Sequence, residues 1–191
     1  MKLIGQGSSA SVYQDLTTGM VYKIHTSRSG YLEERNTLEK IINLNMKSPI
    51  EIYGFNDEQN SIIMEFCGDN LENHIISDKI KDLETRIYLV NQVFGFYREL
   101  KKNRVVHGDF KAKNMVINKY NVIKLIDFDM SYVAEANEAI DEDDDHKKCE
   151  YVILQLMFGL PYKRTYPQYK KLIAQLKHEY PAIYFTLREI K

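Results

Sequence analysis

The stretch from Val105 to Met130, VVHGDFKAKNMVINKYNVIKLIDFDM, constrains the chain more than any other. It contains two short apolar runs that read as strands, Asn114-Met115-Val116-Ile117 and Val122 to Ile126. Each has polar residues at one end: His107, Asp109, Lys111 and Asn114 before the first run, Asp127 after the second. A carboxylate at a strand end, five residues before an amide and eighteen before a second carboxylate, suits phosphoryl transfer. One acid receives or orients a hydroxyl proton, while the amide and the other acid hold Mg²⁺ on the phosphates.

The rest of the chain sets bounds on this reading. Its 191 residues allow one domain or two small lobes with a real core. A net charge of -1 points to neither nucleic acid nor an anionic membrane surface as partner. Cys67 and Cys149 are too few for a disulfide framework and lack metal spacing, so a reducing, cytoplasmic setting is expected. No apolar run approaches membrane-spanning length, and the start MKLIGQGSS does not read as a signal peptide.

Residues 3–13 read as strand, glycine turn, strand, and Thr17-Thr18-Gly19 turns the chain into a third strand, Met20 to Ile24. Gly5 and Gly7 let backbone amides approach phosphate oxygens that a Cβ would obstruct. An ordinary hairpin with glycines in its turn fits this segment alone equally well. Lys23 lies in the third strand, inside an apolar stretch. From Gly30 the segment YLEERNTLEKIINL is helical, with Leu38, Ile41 and Ile42 following Glu34 at helical spacing. Glu34 therefore sits at the edge of the buried face; Glu33 and Glu39 are its rivals, and Glu33 lies about 100° away without that continuing apolar stripe. Two short strands follow, Glu51 to Gly54 and Ser61 to Phe66. Thr85 to Lys102 is a long helix whose core face carries Ile87, Val90, Val93, Phe94, Tyr97 and Leu100. Asp145 opens a further helix in the role of N-cap, with Cys149, Val152, Ile153 and Leu156 on one face and Gly159 closing it. Asp141 to Asp144 read as a solvated acidic run. Two more helical segments occupy about 168–177 and 182–189.

Spelled as H-x-D-x-x-x-x-N followed by I-D-F, the central stretch resembles the catalytic and metal loops of the protein kinase superfamily. Gly5, Gly7, Ser8 and Ala10 look like the glycine-rich loop, with Ala10 at its third glycine position. The resemblance implies an α+β, two-lobed kinase-like domain over 1–191: a small β-rich N-lobe (1–67) and a shortened helical C-lobe (68–191). It implies ATP and Mg²⁺, or Mn²⁺ in its place, as cofactors. Asp109, Lys111, Lys23 and Glu34 take the catalytic positions, with Lys23 paired to Glu34. Asn114 and Asp127 take the metal. Gly5, Gly7, Ser8, Val12, Val21, Lys23 and Met64, the last as gatekeeper, border the nucleotide, and backbone groups of Glu65 and Cys67 bind the adenine edge. Asp145 braces the catalytic loop.

The same resemblance exposes departures. Gly108 replaces the arginine that usually pairs with a phosphorylated activation loop, which argues against that form of switching. Asp129 stands where the metal motif usually ends in glycine, and aspartate tolerates φ > 0 better than most residues. Only eighteen residues separate Asp127 from Asp145 and none spell A-P-E, so the usual platform for a peptide substrate is missing. Three function classes fit. Lys111, two residues after Asp109, favours a serine/threonine protein kinase. H-G-D and I-D-F-D are also similar to aminoglycoside- and choline-kinase-type phosphotransferases. Ala10 and Asp129 suit a kinase-shaped binding module. The opening K-L-I-G-Q-G-S-x-A with a shortened C-lobe looks like the OspG and NleH type of kinases that enteric bacteria inject into host cells. That implies a host-cytosol setting, a protein substrate and, as activating partner, ubiquitin or a ubiquitin-charged conjugating enzyme.

Overall fold

Strands β1 (Lys2–Gln6), β2 (Ala10–Gln14) and β3 (Val21–His25) form an antiparallel meander, the first part of a computed structural model that describes residues 1–138 and 143–190. The third strand begins at Val21 and runs on to His25, shifted by one residue toward the C-terminus from the expected Met20 to Ile24. Helix α1 (Arg28–Asn43) follows, starting two residues before Gly30 because Ser27 accepts the Gly30 N–H at 3.2 Å and caps it. Its buried residues are Tyr31, Glu34, Leu38 and Ile41, steps of three, four and three. Ile42 falls off that stripe and is 45% exposed, contrary to its expected place in the core. Strands β4 (Ile52–Asn56) and β5 (Ser61–Met64) complete a five-stranded antiparallel sheet in the order β1-β2-β3-β5-β4.

After the link at 65–68 come β6 (Asp69–Asn70), the short α2 (Leu71–Ile76), α3 (Leu83–Lys102) and β7 (Val105–Val106). Strands β8 (Met115–Ile117) and β9 (Ile123–Leu125) form a hairpin that β6 extends. Asn114 lies in the 3₁₀ turn Ala112–Asn114 ahead of the hairpin, not in the strand as the apolar pattern suggested. Strand β10 (Tyr132–Val133) pairs with β7. Then follow α4 (Asp143–Phe158), α5 (Tyr162–Thr165), α6 (Tyr169–Glu179) and α7 (Pro181–Glu189).

Helix α4 is buried on every side from Cys149 to Met157, as expected for an apolar helix at the centre of a helical layer. Val90, Val93, Phe94 and Tyr97 of α3 belong to the same core. The helix begins at Asp143, so Asp145 is inside its first turn and is not the N-cap. Asp141 and Glu142 of the acidic run lie outside the described residues.

The segment between α1 and β4 ties the two parts together. Ile50 N–H donates to Leu125 O at 2.9 Å, and Leu125 N–H donates to Ser48 O at 2.8 Å. The Glu99 carboxylate on α3 accepts the N–H groups of Lys47 and Ser48 at 2.7 and 2.8 Å. Burial works against this carboxylate, yet these donors hold it below the usual carboxylate range. The link at Gly68 is pinned as well: φ is +102°, and a Cβ there would stand 2.1 Å from Ile117 O.

Candidate active site

A cavity of about 550 Å³, a size typical of small-molecule sites, opens between the five-stranded sheet and the β8–β9 hairpin. Val12, Val21 and Ile50 line its upper side, Val116 and Ile126 its lower side, and Met64 to Gly68 its back. At the inner end Lys23 Nζ is held by two carboxylates, Glu34 at 2.7 and 2.9 Å and Asp127 at 2.5 Å. Burial works against the ammonium, but the two acids outweigh it and hold Lys23 above the ordinary lysine range. Burial also works against both carboxylates, yet the His25 ring and Lys23 hold Glu34, and Lys23 holds Asp127, below the ordinary range. Glu34 Oε1 further accepts the Phe128 N–H at 3.3 Å, which joins α1 to the segment after β9.

Below Lys23, Asn114 Nδ2 donates to Asp109 O at 3.0 Å and to Asp109 Oδ2 at 2.8 Å. Its nitrogen is thereby taken up, which leaves the amide oxygen as the atom that could meet a metal. Lys111 Nζ stands 2.5 Å from Asp109 Oδ2. The loop that carries Asp109 is held from beneath. Asp145 accepts the N–H of His107 at 2.6 Å and of Gly108 at 3.1 Å. The His107 Nε2 lies 3.1 Å from Ile126 O, and its ring packs on Phe128 with centroids 4.8 Å apart. Burial pushes the His107 imidazole below its ordinary range and keeps it neutral.

Residues 1–152 match the protein kinase domain family. The chain belongs to this family of phosphotransferases. A homologue of the hormonally up-regulated neu tumor-associated kinase from Xenopus tropicalis is 30% identical over 145 residues, 69% of this chain and 21% of that protein. Calcium-dependent protein kinase 4 of Plasmodium berghei is 27% identical over 147 residues, 69% of this chain and 28% of that protein. Aurora kinase of Schizosaccharomyces pombe is 29% identical over 148 residues, 71% and 42% of the two chains. The aligned part of this kinase domain thus spans less than half the length of these curated relatives.

Most of the residues singled out from the sequence come together around the cleft of this kinase domain. Gly5, Val12, Val21, Lys23, Met64, Glu65, Cys67 and Asp127 line the cavity, while Gly7 and Ser8 sit in the turn beyond it. The Glu65 N–H donates to Glu51 O at 3.0 Å, so Glu65 can offer a nucleotide only its carbonyl. Burial pushes the Cys67 thiol up to about 11, so it stays a neutral lining group. The metal loop departs from expectation at Asp129. The left-handed residue there is Asp127, with φ +68°, and Asp129 is not in that region. Asp129 instead lies across the cleft from the glycine turn, 3.5 Å from Ser9 Oγ. Burial and the neighbouring Asp127 push its carboxyl above the ordinary range.

The donor set fits a hard cation, since an aspartate and an amide oxygen are magnesium-type ligands. Among the described residues no cluster of three or more His, Cys, Asp or Glu could hold a metal alone, so substrate phosphates would complete the site. Three side chains at this site escaped sequence reasoning. His25 touches Glu34, and its signal was the period-two spacing from Lys23 along β3. Arg104 donates to Glu135 O and Glu138 O at 2.8 and 2.6 Å, and Lys148 of α4 donates to Gly108 O. Those two act on backbone carbonyls, which no sequence pattern marks.

Proposed function

We propose that this kinase domain transfers the γ-phosphoryl group of Mg-ATP to a serine or threonine hydroxyl of a protein, with Mn²⁺ able to replace Mg²⁺. The observation that carries this reading is Lys23 held between Glu34 and Asp127 at one end of a nucleotide-sized cavity, with Asp109 bonded to Asn114 just below. In this reading Asp109 orients the acceptor hydroxyl and receives its proton. Lys111 contacts the γ-phosphate, and Lys23 orients the phosphates. Asn114 and Asp127 hold the metal, which when bound neutralises charge on the phosphates. Glu65 O and the Cys67 backbone receive the adenine edge at the back of the cavity.

Two features refine the proposal. Gly108 replaces the usual arginine and Ser131 is buried, its hydroxyl donating to His107 O at 2.8 Å; both support activity without phosphorylation after the metal loop. The segment between Asp127 and Asp145 is too short for the usual peptide platform, which supports weak turnover of generic peptides and stimulation by a protein partner. By the sequence resemblance alone, that partner is ubiquitin or a ubiquitin-charged conjugating enzyme, met in a host cytosol. Among the described residues no helix is long and apolar enough to cross a membrane.

The test is incubation with Mg²⁺ and labelled ATP, alone and with protein mixtures, followed by mass-spectrometric mapping of phosphosites. Phosphoserine or phosphothreonine that disappears in Asp109→Ala is the expected result. Efficient phosphorylation of an aminoglycoside or a choline-like molecule would move the chain to the small-molecule class. Mg-ATP binding without any transfer would make it a binding module.

A further inference from the structure

His25 is a buried imidazole that the proposed mechanism does not use. It lies two residues after Lys23 on β3, so both side chains project from the same face of the strand toward α1. Its Nε2 stands 3.0 Å from Glu34 Oε2, and the Tyr31 ring closes the far side at 6.0 Å between centroids. The contact is close but misaligned: both ring nitrogens of His25 lack a hydrogen-bond partner among the described residues, and Glu34 Oε2 otherwise meets only the Lys23 ammonium at 2.7 Å. Buried polar groups left in that state need a reason. An apolar side chain would fill this position without leaving any polar atom unpaired.

Lys23 supplies the reason. Its ammonium has three N–H groups, and here they are shared between Glu34 and Asp127. A lysine that turns toward nucleotide phosphates gives up part of its hold on Glu34. The Glu34 carboxylate is 2% exposed and cannot turn to water for a replacement donor. We infer that His25 is a positioning residue acting through Glu34: it is the second donor that keeps this carboxylate, and hence α1 and Lys23, in place when nucleotide engages the lysine. The inference rests on the kinase reading of the cleft. Its observations are separate, being the 3.0 Å approach and the two unpaired ring nitrogens beside it.

The experiment is a double-mutant cycle on the full chain. Wild type, His25→Leu, Glu34→Gln, the double variant and His25→Gln are compared for Mg-ATP affinity by calorimetry, for turnover and for urea unfolding. Leucine keeps the apolar packing and removes the donor. His25→Leu weakens Mg-ATP affinity or kcat/KM about tenfold, the scale of one hydrogen bond to a charged group. In the Glu34→Gln background the same change has less than about a twofold effect, because its route of action is gone. His25→Gln, which restores an N–H donor, recovers most of the loss. A mere space-filling role predicts otherwise: His25→Leu as active and at least as stable as wild type, or effects of His25 and Glu34 that multiply. Either result overturns the inference. If wild type binds Mg-ATP but transfers no phosphate, the kinase reading fails while the affinity cycle still decides the role of His25. If wild type does not bind Mg-ATP, both fail.

Discussion

Replacing Asp145 tests how the catalytic loop is held. Its carboxylate is 5% exposed and accepts two backbone N–H groups, from His107 at 2.6 Å and from Gly108 at 3.1 Å. A hydrogen bond to a charged group contributes roughly 1.5–3 kcal/mol, and a buried N–H left unpaired costs about 1–3 kcal/mol. Asp145→Ala removes the acceptor from both donors in a site closed to water, so the loss is about 3–5 kcal/mol. That is a large part of the roughly 5–15 kcal/mol that holds a domain folded. Asp145→Asn keeps one oxygen but presents an amide NH₂ to the other donor, for a loss of about 1–3 kcal/mol. The assay is urea unfolding, read as a fall in midpoint at unchanged slope. With slopes of about 2 kcal/mol/M, the alanine variant should unfold some 1.5–2.5 M earlier. A midpoint within about 0.5 M of wild type would refute the reasoning, since it would mean that the loop finds other acceptors at little cost.

Saturating Mg-ATP should raise the melting temperature by mass action. The rise should shrink in Asp127→Asn, whose amide is a poorer metal ligand, as thermal shift would show. Gly68→Ala should cost about 2–3 kcal/mol and weaken nucleotide binding, because φ is +102° and the new Cβ would stand 2.1 Å from Ile117 O. Calorimetry and urea melts would reveal this. The Glu34 carboxylate is depressed below 4.5, so its contribution to stability is complete above that pH and is lost as pH falls through the folded value. Glu34→Gln should therefore be less stable at neutral pH and show a flatter acid limb in melts taken from pH 7 to pH 3. Ser131→Ala with Tyr132→Phe should keep the phosphotransferase activity within a few-fold and cost about 1 kcal/mol through the lost bond to His107 O. Loss of activity in a folded double variant would overturn phosphorylation independence.

Local pattern carried much of the architecture. The long α3 and the strands of the sheet were legible because their apolar spacing is regular, and Glu34 was legible as a carboxylate at the edge of an apolar stripe. The ends of elements were not, because capping decides them: Ser27 starts α1 two residues early. The short α2 and α5 were missed because six and four residues are too few to show a helical period. Asp145 was found as the brace of the catalytic loop but placed at the wrong position in α4. A run of acids offers several equivalent caps, and only the tertiary contact tells them apart. Tertiary contact also explains the silence about His25, Arg104 and Lys148. His25 meets a carboxylate nine positions further on, and the other two meet backbone carbonyls far along the chain.

The segment after the metal loop shows how a short chain can order this region without a phosphate. Gly108 has φ +73°, and a Cβ there would stand 2.4 Å from Met130 O, so in this backbone glycine is what lets the two loops approach. An arginine at 108 would push Met130 away before it could reach any phosphate. The holding contacts come from elsewhere. Lys148 donates to Gly108 O from α4, Ser131 donates to His107 O, and Thr37 of α1 donates to Ser131 O at 3.2 Å. Arg104 grips the next turn through Glu135 O and Glu138 O, while β10 pairs with β7 on the other side. Every acceptor named here is a backbone carbonyl, present whether or not any residue is modified. A phosphate switch needs a cation with no partner until the phosphate arrives. Here Arg104 already has its carbonyls, so residues 128–138 are held by contacts that folding itself supplies.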